Sequence, residues 1–304
     1  MQLTQFISRK NCNIYFYNIG CENCRKSYCV KQVLNLKKDK VNQLFIKGKT
    51  LYSILAVSGV HSTEFIAHDE HTNSVLMPSI TGDTLEKLII QSFFKGEKSH
   101  LKCLNLLAAL ADQQAIMHAT KIPDNLPMPT PCSNLEYENR LAEYLDIGFI
   151  QQALTFAEET PQQKIAALGE SFKEGMENVL LHGDFQAKNV LIDKHNSAVL
   201  IDLNYGLGHP LFDIAQFLTQ LVRLHRTWNF PKAKSYLEQY GDHFLKVYFS
   251  HGNEHLKKDL PFFMLWAMAF SLRGDLTMPA FVKRYIGSHI KASVMYKKWA
   301  GISQ

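Results

Sequence analysis

The chain has 304 residues, 46% of them hydrophobic and 20% charged, with a formal net charge of +5 at pH 7. This is the composition of a soluble globular protein with room for one large domain or two lobes, and it excludes a disordered chain. The longest apolar stretch, residues 260–272, is too short to span a bilayer, so no membrane partner is expected.

The charge surplus is uneven. Residues 1–80 hold 10 Lys and Arg against 5 Asp and Glu, and the remainder is balanced at 23 against 23. No arginine-rich run with interleaved aromatics occurs, so no nucleic-acid partner is expected. The start lacks a charged segment followed by an apolar one. Six cysteines without an export signal suit reduced thiols and a cytoplasmic location.

In chain order, residues 5–7, 14–17 and 28–33 read as strands separated by polar turns at 8–11 and 20–26. Alternation in the third puts Lys31 on the opposite face from Val30 and Gln32. Cys21 and Cys24 form a C-x-x-C pair, as in a zinc knuckle or a redox turn. No second pair completes a familiar tetrahedral set, so free thiols in a turn are expected. Residues 41–57 fit a helix, with Leu44, Ile46, Leu51, Ile54 and Leu55 on a loose apolar face. Residues 74–82 read as a strand running into a turn. A capping-box-like start at 83–86 opens a helix to about residue 94, and a longer helix covers 101–119.

Pro123, Pro127, Pro129 and Pro131 make 121–133 a loop. Helices are expected at 136–146, 149–159 and 162–177. Glu136, Glu138, Glu143 and Asp146 either face a cationic substrate or form a solvated helix face. Further helices are expected over 211–224, 233–250, 256–272 and 279–299. Trp228, Phe230, Phe262, Phe263, Trp266 and Tyr285 are mostly core candidates.

The chemistry concentrates in residues 178–213. Apolar runs at 179–181 and 190–192 bracket a polar knot, His182-Gly183-Asp184-Phe185-Gln186-Ala187-Lys188-Asn189. A third run, after a turn at 194–197, ends at Asp202. The pattern is a polar loop and then a hairpin, with Asp184, Asn189 and Asp202 at strand ends. Phosphoryl transfer needs a group that orients or deprotonates an acceptor hydroxyl, and oxygen ligands for the magnesium that bridges the phosphates. The bland reading makes all three turn formers, and makes Asp213 a helix N-cap ahead of Ile214.

H-x-D-x-x-x-x-N, then Ile201-Asp202, then Gly208-His209-Pro210 followed by Asp213, resembles the aminoglycoside phosphotransferase and choline kinase group of small-molecule kinases. Gly183 stands where protein kinases usually carry arginine. The resemblance implies an α+β, bilobal protein-kinase-like fold, with a small strand-rich lobe over 1–80 and a large, mainly helical lobe over 81–304. It implies transfer of the γ-phosphate of ATP, with Mg2+, to a hydroxyl of a small molecule: an amino alcohol, a sugar or an aminoglycoside. Asp184 is then the catalytic base, Asn189 and Asp202 hold Mg2+, and His182 and Asp213 support the loop. Lys31 contacts the ATP phosphates. Met77, Pro78 and Ile80 lie at a hinge reading the adenine edge, where Pro78 can only accept and Ile80 can donate. His118 resembles a structural histidine of the family.

Two departures stand out. The first turn has no G-x-G-x-x-G. The stretch 45–51 carries no carboxylate where kinase folds offer a glutamate to the strand lysine, which leaves Lys31 without an obvious partner. That second departure is the one support for an alternative reading, a nucleotide-binding regulatory module. A kinase acting on protein hydroxyls is weakened by Gly183 and by the absence of an A-P-E segment after Asp202.

Overall fold

The computed structural model describes residues 2–8, 12–19, 26–34, 38–123, 126, 134–154 and 178–301. Cys21 and Cys24, most of the proline-rich loop and the expected helix at 162–177 lie outside the described residues.

Three strands rich in β-branched and aromatic residues open the chain: β1 Gln2–Ser8, β2 Cys12–Ile19 and β3 Lys26–Val33. They meander antiparallel and are extended by β4 Ala67–Asp69 and β5 Ser74–Pro78, in the order β1-β2-β3-β5-β4. Residues directly opposite across a ladder share a face. Lys31 pairs with Ile14 and Val75, and Cys29 with Phe16 and Met77, so these six line one face of the sheet.

Helix α1, Lys38–Val57, connects β3 to β4 and begins three residues earlier than the sequence suggested. Leu51 and Leu55 are buried, but Ile46 is 54% exposed, so the apolar face is narrower than expected. Beyond α1 the chain runs beside β9, Ala198–Leu200. Thr63 N donates to Leu200 O at 3.0 Å, and Leu200 N donates to His61 O at 2.9 Å.

After β5 the chain crosses into the helical part through β6, Asp83–Thr84, which pairs with β8, Val190–Ile192; β8 in turn pairs with β9. Thr84 caps α2, Leu85–Lys95, by accepting from Lys87 N at 3.2 Å. The capping box is not completed. The residue three positions after the cap is Lys87, and Glu86 instead accepts from Gln220 Nε2 at 3.0 Å.

Helices α3 Glu97–Ala119, α4 Asn134–Leu145 and α5 Gly148–Leu154 follow. The remaining α-helices among the described residues are α6 Leu211–Thr227, α7 Pro231–Ser250, α8 Leu260–Arg273, α9 Ala280–Ala292 and α10 Val294–Trp299. Buried residues run round all sides of α8, among them Phe262, Phe263, Leu265 and Trp266, as befits a central helix. The single helix expected over 279–299 is broken at Ser293, whose hydroxyl caps α10 by accepting from Tyr296 N. Tyr285 is 53% exposed and belongs to the surface, not the core.

The architecture is bilobal α+β, a strand-rich part followed by a mainly helical one. No described helix is long and apolar enough to cross a membrane.

Candidate active site

The polar knot lies between β7, Val179–Leu181, and β8. β7 pairs with β10, Gly206–Gly208, a short ribbon that the sequence did not signal. Gly183 sits at φ 80°, and a Cβ there would lie 2.4 Å from Asn204 O, so only glycine fits this turn. The turn delivers Asp184. Asn189 Nδ2 donates to Asp184 Oδ2 at 2.8 Å and to Asp184 O at 2.9 Å, and Gln186 Nε2 donates to Asp184 Oδ1. Both carboxylate oxygens are thus held in place.

Beneath the loop, Asp213 is fully buried. It lies in the first turn of α6, whose N-cap position is Pro210, so the N-cap reading fails. Its carboxylate accepts from His182 N at 2.7 Å, Gly183 N at 3.0 Å and Gln114 Nε2 at 2.8 Å. His118 stands beside it, with Nε2 at 3.4 Å from Asp213 Oδ2 and Nδ1 at 2.8 Å from the Tyr248 hydroxyl. Burial holds the His182 imidazole below its usual range, against the pull of Asp213 and Asp184. Its Nδ1 accepts from Asp184 N at 3.3 Å.

Asp202 comes alongside through two backbone bonds. Ile201 N donates to Asn189 O at 3.0 Å, and Asn204 N to His182 O at 2.8 Å. Asp202 itself has φ 54°, a left-handed conformation that Asp tolerates better than most residues and that is concentrated at functional sites. Lys31 Nζ reaches across from the sheet to Asp202 Oδ1 at 2.6 Å. The lysine left without a carboxylate from α1 finds one here, and Cys29, Val75 and Met77 share its face of the sheet. Burial pushes the Cys29 thiol up to about 11, so it stays protonated beside Lys31.

Against known proteins, the family model for APH, the phosphotransferase enzyme family, matches residues 48–253. The chain belongs to the APH phosphotransferase enzyme family. By family it is a small-molecule kinase. Solved structures share its fold. A choline/ethanolamine kinase family protein from Mesorhizobium loti superposes with a TM-score of 0.55 at 12% identity, covering 98% of this chain and 88% of that one. The choline kinase of Cryptosporidium parvum Iowa II gives 0.57 at 12%, covering 98% and 89%. An aminoglycoside-3'-phosphotransferase of type VIII gives 0.53 at 15%, covering 88% and 93%. No curated protein matches the chain in sequence.

This APH-family phosphotransferase carries positions the sequence reading missed. Gln220 of α6 accepts from Ala187 N and donates to Glu86, tying the loop to α2. Gln114 and Tyr248 extend the network around Asp213. A glutamine inside a helical pattern gives no signal of such a role. Lys47 of α1 is 8% exposed, and its Nζ donates to Tyr205 O at 2.6 Å; burial brings its pKa down to about 8. His209 is buried and stacked on Phe263 at 4.3 Å, and burial pulls it down to about 3.

Other candidates resolve more simply. Pro78 lies opposite Tyr28 at the end of β5, and Ser79 N donates to Ser27 O at 2.9 Å. Ile80, between β5 and β6, is partly buried. Glu136 pairs with Arg140, while Glu143 and Asp146 are exposed, which is a solvated helix face. Among the described residues no group of three or more His, Cys, Asp or Glu could hold a metal ion by itself. The Asp202 carboxylate and the Asn189 amide oxygen form a sparse, all-oxygen donor set. That suits Mg2+, which takes few protein ligands and completes its shell with phosphates and water, and it does not suit a structural zinc.

Proposed function

We infer that the protein transfers the γ-phosphate of Mg-ATP to a hydroxyl of a small molecule. The observation that carries this reading is a convergence of two contacts on neighbouring segments: Asn189 on Asp184 at 2.8 Å, and Lys31 on Asp202 at 2.6 Å. Asp184, held through both carboxylate oxygens, aligns the acceptor hydroxyl and takes its proton. The acceptor oxygen forms the new bond to phosphorus as ADP leaves. Lys31 draws the phosphates beneath the sheet. Asn189 Oδ1 and Asp202 would hold Mg2+, which when bound would offset the charge that develops on the phosphates.

Pro78 O and Ile80 N lie two residues apart and serve as acceptor and donor to the adenine edge, with Met77 lining the roof beside Cys29. His182 and Asp213 fix the loop rather than meet the substrate. We set the lobe boundary between residues 80 and 81. Beyond residue 80 the charges balance at 23 against 23, which favours an amino alcohol or a sugar over a strongly polycationic antibiotic as acceptor. Cys12, Cys29 and Cys103 are free thiols, in keeping with a cytoplasmic location.

The test is incubation with γ-labelled ATP, Mg2+ and a pool of amino alcohols, sugars and aminoglycosides. A labelled small molecule that disappears with Asp184→Asn supports the reading and names the acceptor class. Clear nucleotide binding with label in none of the pool contradicts the acceptor assignment.

A further inference from the structure

The segment from Asp202 to Tyr205 is short and fixed at both ends by the helical part. Ile201 is bonded to Asn189, Asn204 to His182, and Gly206 enters the ribbon opposite Leu181. From β3 and α1, two lysines reach it. Lys31 takes the Asp202 carboxylate, and Lys47 takes the Tyr205 carbonyl. The two bonds differ in kind. The Lys31 partner is a side chain that Mg2+ also needs, and Lys31 itself is needed by the phosphates. The Lys47 partner is a backbone carbonyl that no other described group competes for.

Lys47 is also an expensive choice for its place. A buried ammonium costs more than a buried methionine unless hydrogen bonds or a counter-charge offset its lost hydration. The helix around it is firmly seated. A Cβ on the neighbouring Gly48 would lie 2.2 Å from the Phe65 ring, so α1 rests directly on that ring. Phe65 in turn stacks near Phe45, at 6.5 Å between centroids. Lys47 therefore projects from a fixed platform.

We propose that Lys47 is a positioning residue that anchors the Asp202–Tyr205 segment to α1, so that Asp202 keeps its metal-facing conformation when Lys31 leaves it for the nucleotide phosphates. It fills the structural place of the absent helix carboxylate by a different route. Instead of holding Lys31, it holds the backbone beyond the carboxylate that Lys31 touches. The proposal rests on the phosphotransfer reading above.

The experiment measures ATP affinity by calorimetry, with Mg2+ and with EDTA, for wild type, Lys47→Met and Lys47→Arg. In Lys47→Met, ATP affinity in EDTA stays within about twofold of wild type, because Lys31 and the hinge are untouched. The tightening that Mg2+ adds falls about tenfold, and Lys47→Arg recovers most of it, because a guanidinium can still donate to the carbonyl. Backbone amide exchange over residues 203–206 speeds up in Lys47→Met and not in Lys47→Arg. If Lys47→Met does not fold, Lys47→Gln, too short to span the bond, is measured in its place.

Full Mg2+-dependent tightening in Lys47→Met or Lys47→Gln overturns the proposal. So does an equal loss of affinity with and without Mg2+, which would mark a purely structural lysine. A wild type that binds no ATP in either condition overturns the phosphotransfer reading itself, so the two failures are told apart by the wild-type measurement alone.

Discussion

Asn189 points one amide nitrogen at two oxygens of the same residue, donating to the Asp184 carbonyl at 2.9 Å and to Asp184 Oδ2 at 2.8 Å. The arrangement fixes the carboxylate in register with its own backbone. Replacing the donor by an acceptor of the same shape reverses its effect. In Asn189→Asp two carboxylates face each other at hydrogen-bond distance, so one of them keeps a proton near neutral pH. We expect kcat to fall by about 10²-fold or more, on the scale of one lost preorganised donor. The acid limb of the kcat–pH profile should move to higher pH. A pH profile superimposable on that of wild type would remove Asn189 from this role.

Gly183 is required by conformation and by space together. Gly183→Ala forces a Cβ into a left-handed position and to within 2.4 Å of the Asn204 carbonyl oxygen. Left-handed backbone costs about 1–2 kcal/mol and local crowding about 1–3 kcal/mol, so a loss of about 2–5 kcal/mol is expected. Urea unfolding monitored by fluorescence reads this directly. A variant with unchanged midpoint and slope would show that the turn relaxes freely.

The carboxylate of Asp213 is the floor on which the loop rests. Asp213→Ala strands the amides of His182 and Gly183 and the Gln114 side chain without their acceptor. Buried donors left unpaired cost about 1–3 kcal/mol each, and breaking such a cluster costs roughly 3–5 kcal/mol. Turnover should fall along with stability, because the same amides orient Asp184. Thermal unfolding with parallel kinetics checks both, and activity retained in a destabilised protein would separate floor from loop.

His209 sets a pH dependence of stability with a definite sign. Its folded pKa lies near 3 against an ordinary value of 6.5, because burial disfavours the imidazolium. Below pH 6.5 the unfolded chain takes up a proton that the folded chain refuses. The contribution is therefore complete above pH 6.5 and is lost as the pH falls toward about 3, with a slope of about 1.4 kcal/mol per pH unit for one proton. His209→Phe keeps the stack on Phe263 and cannot protonate, so its stability should decline less steeply between pH 6.5 and 4. His182, His225 and His289 are depressed by burial as well, so a residual slope remains. Identical slopes in both proteins would exclude His209 as a source.

What the sequence made legible follows from how local each signal is. The hairpin of β8 and β9 could be read because apolar runs flank a turn of polar residues, and Asn196 takes the left-handed turn position at φ 61°. Asp184, Asn189 and Asp202 were legible by type and spacing. Lys31 was legible as a lone lysine on its strand face, but its Asp202 partner lies 171 residues away and leaves no local trace. Asp213 was ambiguous because capping and bracing call for the same residue at the same helix start. Lys47, Gln114 and Gln220 were missed because a polar residue on a helix reads as solvated until the fold buries it. The single helix expected over 279–299 was broken by Ser293, whose hydroxyl offers a cap that periodicity does not weigh.

The central claim is that Asp184 serves the chemical step and not nucleotide binding. The most direct test takes the acceptor found in the labelled pool and measures kcat beside the ATP dissociation constant for wild type and Asp184→Asn. The account predicts a fall in kcat of about 10³-fold or more, combining lost base catalysis with lost alignment, and an ATP dissociation constant within about threefold of wild type. A kcat within tenfold of wild type, or a loss of ATP binding as large as the loss of rate, would contradict it.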